Sequence, residues 1–324
     1  MEAKVEISPF LPGTKVQFAW DSTGLGYAKR CWKLYELAIL EGWETPEESV
    51  HLRFGIEYHA TLADYQHQRA EGNDHNDSLR NVVRNLLVRI SDWDPDRTTK
   101  AATTKNPETL LRTVIWYLDE YQDDVAKTVI WSDGTPAVEQ SFRFELDWGP
   151  ETARNERGQW TPNQPYILCG HLDQIVDYQG ERFVMDHKTT GRPLTSYYFD
   201  MYEPDNQMSL YSLASQVVLH SPVKGVIINA TQIGVGFSRF ARGFTFRVAD
   251  QLKEWVDDLR FWLRAAEQRA LEGYWPHNDT ACDKYGGCKF REVCSKSPKV
   301  RERFLKANYI QLPEKERWNP LRTR

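Results

Sequence analysis

Asp173, Asp186 and Lys188 are spaced so that one strand pairing would bring all three to a single face of a sheet. They lie in the run YILCGHLDQIVDYQGERFVMDHK, residues 166–188. Tyr166 to Tyr178 reads as a strand, with Ile167, Ile175 and Val176 as branched apolar residues, and Arg182 to Lys188 reads as a second strand. Gln179-Gly180 suits a two-residue turn between them, because glycine accepts the positive φ such a turn needs. That turn sets Tyr178 opposite Glu181 and, counting back, Asp173 opposite Asp186. Opposed residues point to the same face with Cβ atoms roughly 5 Å apart, and Lys188, two residues on, shares that face. Two carboxylates that close repel unless a cation or a proton lies between them. Paired Asp oxygens are the hard ligands that magnesium and manganese take. A single acidic residue on a strand reads as a solvated charge; the trio together predicts a metal site.

Cysteines form the second group. Cys282, Cys288 and Cys294 fall within 13 residues amid turn formers. Such a cluster points to thiolate ligation of a soft centre, either an iron–sulfur cluster or zinc. The fourth ligand is open: Cys31 would complete an iron–sulfur site, His277 a zinc site. The gap from Cys282 to Cys288 must fold over Gly286-Gly287, where two glycines permit the turn. Cys169, beside Gly170 in a strand, reads as core. Five cysteines in all argue against a disulfide framework.

The elements that must position these residues follow from periodicity. Asp21-Ser22-Thr23 caps a first helix running to about Glu41, with Cys31 inside it. A second helix starts near Pro46-Glu47-Glu48 and carries His59, which taken alone reads as an ordinary core or surface histidine. Two amphipathic helices follow, one with Leu79, Val82, Val83, Leu86, Leu87 and Ile90, the other with Leu110, Leu111, Val114, Ile115 and Leu118. From Pro136 the texture changes. AVEQSFRFEL alternates as a strand, with Glu139 near its start, and a Gly/Pro/Asn-rich loop over 149–165 leads into the central hairpin. A helix spans about Pro204 to His220, with Gln207 and Tyr211 on one face. VKGVIINATQIG and FARGFTFRV read as two more strands, and a long helix spans about Val248 to Gly273.

The whole chain has 324 residues, 40% of them hydrophobic, and 12 Trp, so it can bury a sizeable core. Mean hydropathy is -0.63, and no apolar run approaches the roughly 18 residues a membrane helix needs. MEAKVEISPF has no apolar signal core, so the sequence predicts a soluble cytoplasmic protein with no membrane partner. The net charge of -5 does not advertise nucleic-acid binding. Charge location matters more: residues 296–324 hold nine Lys or Arg against three Glu, interleaved with Phe304, Tyr309 and Trp318, a pattern that suits either a solvated tail or a nucleic-acid contact.

Taken in order, these pieces resemble the PD-(D/E)XK nucleases, specifically the RecB-like exonuclease branch that carries an iron–sulfur cluster and includes the AddB nuclease domain and the nucleases of CRISPR adaptation. Gly55-x-x-x-His59 looks like that branch's helical histidine motif and Gly170-His171-Leu172-Asp173 like its GxxD motif. Asp186-His187-Lys188 looks like its D-x-K motif, and Gln207 to Tyr211 like QxxxY. Cys31, with three cysteines after Tyr274-Trp275-Pro276, looks like its split cluster site. The resemblance spans roughly residues 22–295.

It implies an α/β, restriction-endonuclease-like fold: a mixed central sheet flanked by helices, with an N-terminal helical subdomain and a C-terminal cysteine-cluster segment. The implied divisions are 1–135, carrying Cys31 and His59; 136–273, the nuclease core; and 274–324, the cysteine segment and basic tail. The implied function is a divalent-metal-dependent DNA nuclease, an exonuclease of repair or recombination working on single strands or duplex ends. The alternatives are an inactive nucleic-acid-binding scaffold of the same fold and a structural zinc protein. Asp173, Asp186 and His59, with the His187 carbonyl, would hold magnesium or manganese. Lys188 would orient or help deprotonate the attacking water, and Gln207 and Tyr211 would position the nucleic acid. Cys31, Cys282, Cys288 and Cys294 would hold a structural 4Fe–4S cluster, closing a loop of about 250 residues.

Overall fold

Several helices begin where the sequence supplies a side-chain cap. A computed structural model of the protein describes residues 7–151, 164–219, 221–283 and 287–322. Its longer helices are α1 (Ser22–Arg30), α2 (Val50–Ala70), α3 (His75–Arg89), α4 (Pro107–Glu120), α5 (Asn206–Leu219), α6 (Ala249–Glu272) and α7 (Pro298–Asn308). Asp21 accepts from the Gly24 N–H at 2.7 Å, Asp74 accepts from the Asp77 N–H at 2.8 Å, and Asn106 and Thr109 cap α4 reciprocally. Several expected features lie outside the described residues: the start of the chain before Ile7, the helix end at His220, most of the 149–165 loop, Gly286 of the predicted turn, and the last two residues of the basic tail. Gly287 is described and has φ +106°.

The first helix stops sooner than the expected Glu41. Cys31 takes an extended backbone (φ −168°, ψ 122°). Helix resumes over Trp32–Tyr35 and then widens, with the Glu41 N–H reaching back five residues to the Glu36 carbonyl. The break frees Cys31 from the helix face, and its Sγ accepts the Asn278 N–H at 3.3 Å.

Seven strands form a mixed sheet: β1 (Ala19–Trp20), β2 (Lys127–Thr128), β3 (Val138–Glu145), β4 (Ile167–Tyr178), β5 (Glu181–Thr190), β6 (Gly225–Ile233) and β7 (Ser238–Thr245). Helices flank this sheet, as the restriction-endonuclease-like architecture requires. The chain divides into two compact units, residues 1–47, 141–170 and 250–324 in the first and 48–140 and 171–249 in the second.

In the second unit, β4 pairs antiparallel with β2 and β5, β5 pairs parallel with β6, and β6 pairs antiparallel with β7. A parallel pair needs a long crossover, and α5 lies in the one that joins β5 to β6. All nine residues of β6 are buried, as befits a strand covered on both faces. α2, α3 and α4 pack through Phe54, Tyr58 and Leu62, through Val82 and Leu86, and through Leu110, Val114 and Leu118. Each set recurs at helical spacing, and each fully buried side chain of this size contributes about 1.5–3 kcal/mol.

In the first unit, β1 runs parallel to the start of β4, pairing Ala19 with Ile167. Trp20 stacks on Tyr35, and Tyr35 meets Trp275 with ring centroids 5.3 Å apart. The basic tail is folded into this unit. After α7, Ile310–Gln311 pairs with Trp43–Glu44, and Arg317 donates to the Leu312 and Leu40 carbonyls. Among the described residues no helix is long and apolar enough to cross a membrane.

Candidate active site

The central hairpin turns where the sequence predicts. Gln179 (φ +52°) and Gly180 (φ +81°) form the two-residue turn, and the pairs run from Tyr178↔Glu181 back to Gln174↔Met185. There the ladder ends. Asp173 does not continue it as a plain cross-strand pair; its Oδ2 accepts the His187 N–H at 2.8 Å. The carboxylate thus ties β4 to the middle of the Asp186-His187-Lys188 run.

His59, on α2, brings Nδ1 to 3.4 Å from the same Asp173 oxygen. Glu139 joins them from β3. Ligand atoms of His59, Glu139 and Asp173 all lie within 4.8 Å of one another. Glu139 achieves this with φ +47°, in the left-handed region that residues other than glycine rarely adopt. Sequence reading placed Glu139 on a strand and assigned it no role. Its signal, a carboxylate at the start of an alternating strand, gives no hint of the backbone twist that aims it.

Asp186 is only 1% exposed. Its Oδ1 accepts from Lys188 Nζ at 2.9 Å, while Oδ2 lies 2.7 Å from that ammonium without accepting a hydrogen bond. Lys188 also donates to Gln207 Oε1 at 2.8 Å, and Gln207 Nε2 donates to the Tyr211 hydroxyl at 3.0 Å. The i, i+4 spacing on α5 therefore links directly to the lysine.

A buried polar row crosses the sheet behind these residues, and its donors and acceptors agree. Arg242 Nε donates to Asn229 Oδ1 and Asn229 Nδ2 donates to His187 Nδ1, so His187 carries its proton on Nε2 and gives it to Gln174 Oε1. Gln174 Nε2 in turn donates to Thr128. Both ring nitrogens of His187 are thereby spent on positioning the strand. Burial holds its pKa down, at about 3, so the ring is neutral.

Charge follows the same geometry. Burial pushes the Asp186 carboxyl up to about 6, with Asp173 adding to the effect and Lys188 opposing it. Burial also acts on Asp173, but His59, His187 and Lys188 outweigh it and hold that carboxyl well below its usual range. For Lys188, burial disfavours charge, yet Asp186 and Asp173 raise its pKa. His59 is likewise raised by Asp173 against burial. The two carboxylates are thus shifted in opposite directions beside an ammonium that keeps its charge. The donor set of carboxylates and one imidazole, with a buried Asp186 oxygen lacking a hydrogen bond, fits a hard divalent cation.

The cysteines gather elsewhere, in the first unit. Cys31, Cys282, Cys288 and Cys294 line one small cavity together with His277 and Phe290. The Cys288 N–H donates to the Cys282 carbonyl at 2.8 Å, closing the turn between them. His277 Nε2 faces Arg301 Nη1 at 3.4 Å, and Arg301 Nη2 donates to the Cys294 carbonyl. Cys169 is buried away from this cavity, and burial pushes its thiol up to about 12.

Comparison with known proteins bears on this arrangement. No curated protein matches the chain. Among solved structures, a "putative exonuclease" from Eubacterium rectale aligns with 10% sequence identity and a TM-score of 0.47, covering 83% of this chain and 86% of that one. The sequence model of the PD-(D/E)XK nuclease superfamily matches residues 23–295, which take in His59, Glu139, Asp173, Asp186 and Lys188, and the chain belongs to that superfamily.

Proposed function

We propose that the chain is a divalent-metal-dependent DNA nuclease, an exonuclease, with a structural iron–sulfur cluster. The observation that carries the catalytic reading is the convergence of His59, Glu139 and Asp173 within 4.8 Å, beside the Asp186–Lys188 pair. Those four acidic and imidazole side chains would hold magnesium or manganese. The bound ion supplies charge that polarises the scissile phosphate and lowers the pKa of the attacking water.

The remaining steps belong to the side chains. Lys188 keeps its proton, because Asp186 and Asp173 raise its pKa. It therefore orients the water and donates to charge developing on the phosphate, and it does not serve as the base. Gln207 fixes the Lys188 ammonium and is itself fixed by Tyr211. These two residues hold the nucleic acid close to the cut bond. Asp173, by accepting the His187 N–H, locks the strand that carries both Asp186 and Lys188.

The cluster reading rests on four cysteines lining one cavity. Arg301 faces the His277 nitrogen a zinc ion would otherwise take, and this favours Cys31 as the fourth ligand. Iron–sulfur chemistry then serves to staple segments far apart in sequence. The exonuclease assignment rests on the order of motifs from His59 to Tyr211.

The test is cleavage of end-labelled single- and double-stranded DNA with magnesium, manganese or EDTA. Cleavage should need the metal and vanish in Asp173→Ala, Asp186→Ala and Lys188→Ala, with metal binding kept only in the last. Turnover by any of the three overturns the catalytic assignment. Anaerobic protein should be brown, with about four iron atoms per chain. Cys31→Ala should lose the colour and Cys169→Ala keep it; one zinc per chain, indifferent to Cys31→Ala, would replace the cluster.

A further inference from the structure

Lys105 is a buried cation that the chemistry above does not use. It is 5% exposed and precedes the Asn106 cap of α4. Its ammonium donates to Thr189 Oγ1 at 2.9 Å, with the Thr189 carbonyl at 3.5 Å, and lies 5.2 Å from the centre of the Phe54 ring. Those partners are all neutral. Among the described residues no Asp or Glu forms an ion pair with it. Glu57, an acid of α2, is already engaged by Arg53 and Arg89. Burial alone lowers the Lys105 pKa, to about 8. A desolvated ammonium without a counter-ion is costly, and proteins rarely keep one without a use.

Its surroundings add positive potential. α4, a helix of 14 residues, presents its N-terminus two residues beyond Lys105. His51, exposed on the first turn of α2, has its pKa lowered by burial and then by Lys105. Thr189, which holds the ammonium, directly follows Lys188 on β5. Its side chain leaves the face of β5 opposite Lys188, so the unbalanced charge lies on the side of the strand that α2 covers, the helix that carries His59. The ammonium's own hydrogen bonds use fewer than the three N–H donors an ammonium has.

We propose that Lys105 is the anchor for a non-scissile phosphate of the nucleic-acid strand, a backbone phosphodiester adjoining the one that is cut. The proposal rests on the nuclease reading for the identity of its ligand. A phosphate arriving there supplies the missing counter-ion, so the cost of the buried charge in the free protein becomes affinity in the complex. Such a contact carries no sequence information and sets the register of the strand against the metal site.

The test uses Lys105→Gln, which keeps an N–H for Thr189 and removes the charge. Binding of a fluorescein-labelled oligothymidylate is followed by anisotropy in EDTA, where no cleavage occurs, across a salt series. Lys105→Gln should bind about tenfold more weakly, as expected for loss of a charge-assisted hydrogen bond. Its salt slope should flatten by about 0.7, the share of one phosphate on a single strand. Inorganic phosphate should raise the Tm of the wild-type protein more than that of the variant. Should Lys105→Gln fold poorly, Lys105→Met, read by the same anisotropy, decides. Wild-type affinity and slope in the folded variant overturn the proposal. Asp186→Ala serves as the reference: it should keep the oligonucleotide affinity while losing cleavage. A failure of the nuclease reading would appear as absent metal-dependent cleavage by the wild-type chain, independently of the binding series.

Discussion

Glu139 shows how much of a site can rest on one unusual backbone angle. A left-handed conformation costs a residue with a side chain roughly 1–2 kcal/mol, and glycine nearly escapes that cost. Glu139→Ala and Glu139→Gly both remove the carboxylate, so both should weaken manganese binding, but the glycine variant should be the more stable by about 1 kcal/mol. Urea unfolding with calorimetric metal titration checks this, and equal stability of the two would count against strain at Glu139. Asp186 gives the pH dependence. If Asp186 ligates the proposed metal, affinity should fall roughly tenfold per pH unit below about 6, where protons compete, and level off above it. In the metal-free protein the linkage has the opposite sense. A carboxyl whose folded pKa of about 6 exceeds its ordinary 3.8 contributes stability fully present below the lower value and lost as pH rises through the higher. Manganese titration in buffers of different ionisation heat should register about half a proton released at pH 6, approaching one below it. A flat affinity across that range would remove Asp186 from the metal ligands.

At the level of elements, the hairpin was the most legible part of the chain. Its turn residues and the pairs from Tyr178↔Glu181 to Gln174↔Met185 follow from Gln179-Gly180, whereas β5 runs on to Thr190 and Asp173 leaves the ladder for the His187 N–H. Gly180 sits at φ +81°, so Gly180→Ala should destabilise the protein by about 1–2 kcal/mol. The denaturation midpoint should fall with an unchanged slope, and folded protein should keep its metal affinity, since the turn lies well along the strands from Asp173. A variant as stable as wild type would mean that the turn does not set the register. Other elements were harder to see. α1 ends at Arg30 because Cys31 turns its sulfur toward Asn278, a contact with a partner almost 250 residues away that no local pattern encodes. β2 is two residues long and exists because β4 offers it an edge. The polar row from Arg242 to Gln174 joins four strands, and of its residues only His187 belongs to a motif. Motif order, by contrast, reaches across such distances, which is why His59 and Lys188 could be placed together before any geometry was known.

At the scale of the molecule, the net charge of -5 means that DNA must meet local positive surface. The basic tail was read as a candidate, but deleting it would remove a strand partner of Trp43–Glu44 and the Arg317 contacts. Substitution is the cleaner probe. Lys299 and Arg303 are exposed on α7. If they meet phosphates, Lys299→Gln with Arg303→Gln should lower the salt slope of single-strand binding by about 1.4. An unchanged slope would leave α7 as a solvated face.

The first unit takes residues from three separated stretches of sequence, the last of them beginning at residue 250, whereas the second is complete by residue 249. A ribosome delivers them in that order. The second unit can therefore collapse on the nascent chain while Cys31, long since emerged, still waits for Cys282, Cys288 and Cys294. During that interval its thiol has no partner sulfurs, so assembly of the proposed cluster would fall to the last moments of synthesis or after release. If the proposed iron–sulfur cluster is what closes the first unit, a cell short of iron would accumulate chains whose second unit is folded and whose first stays open to proteolysis.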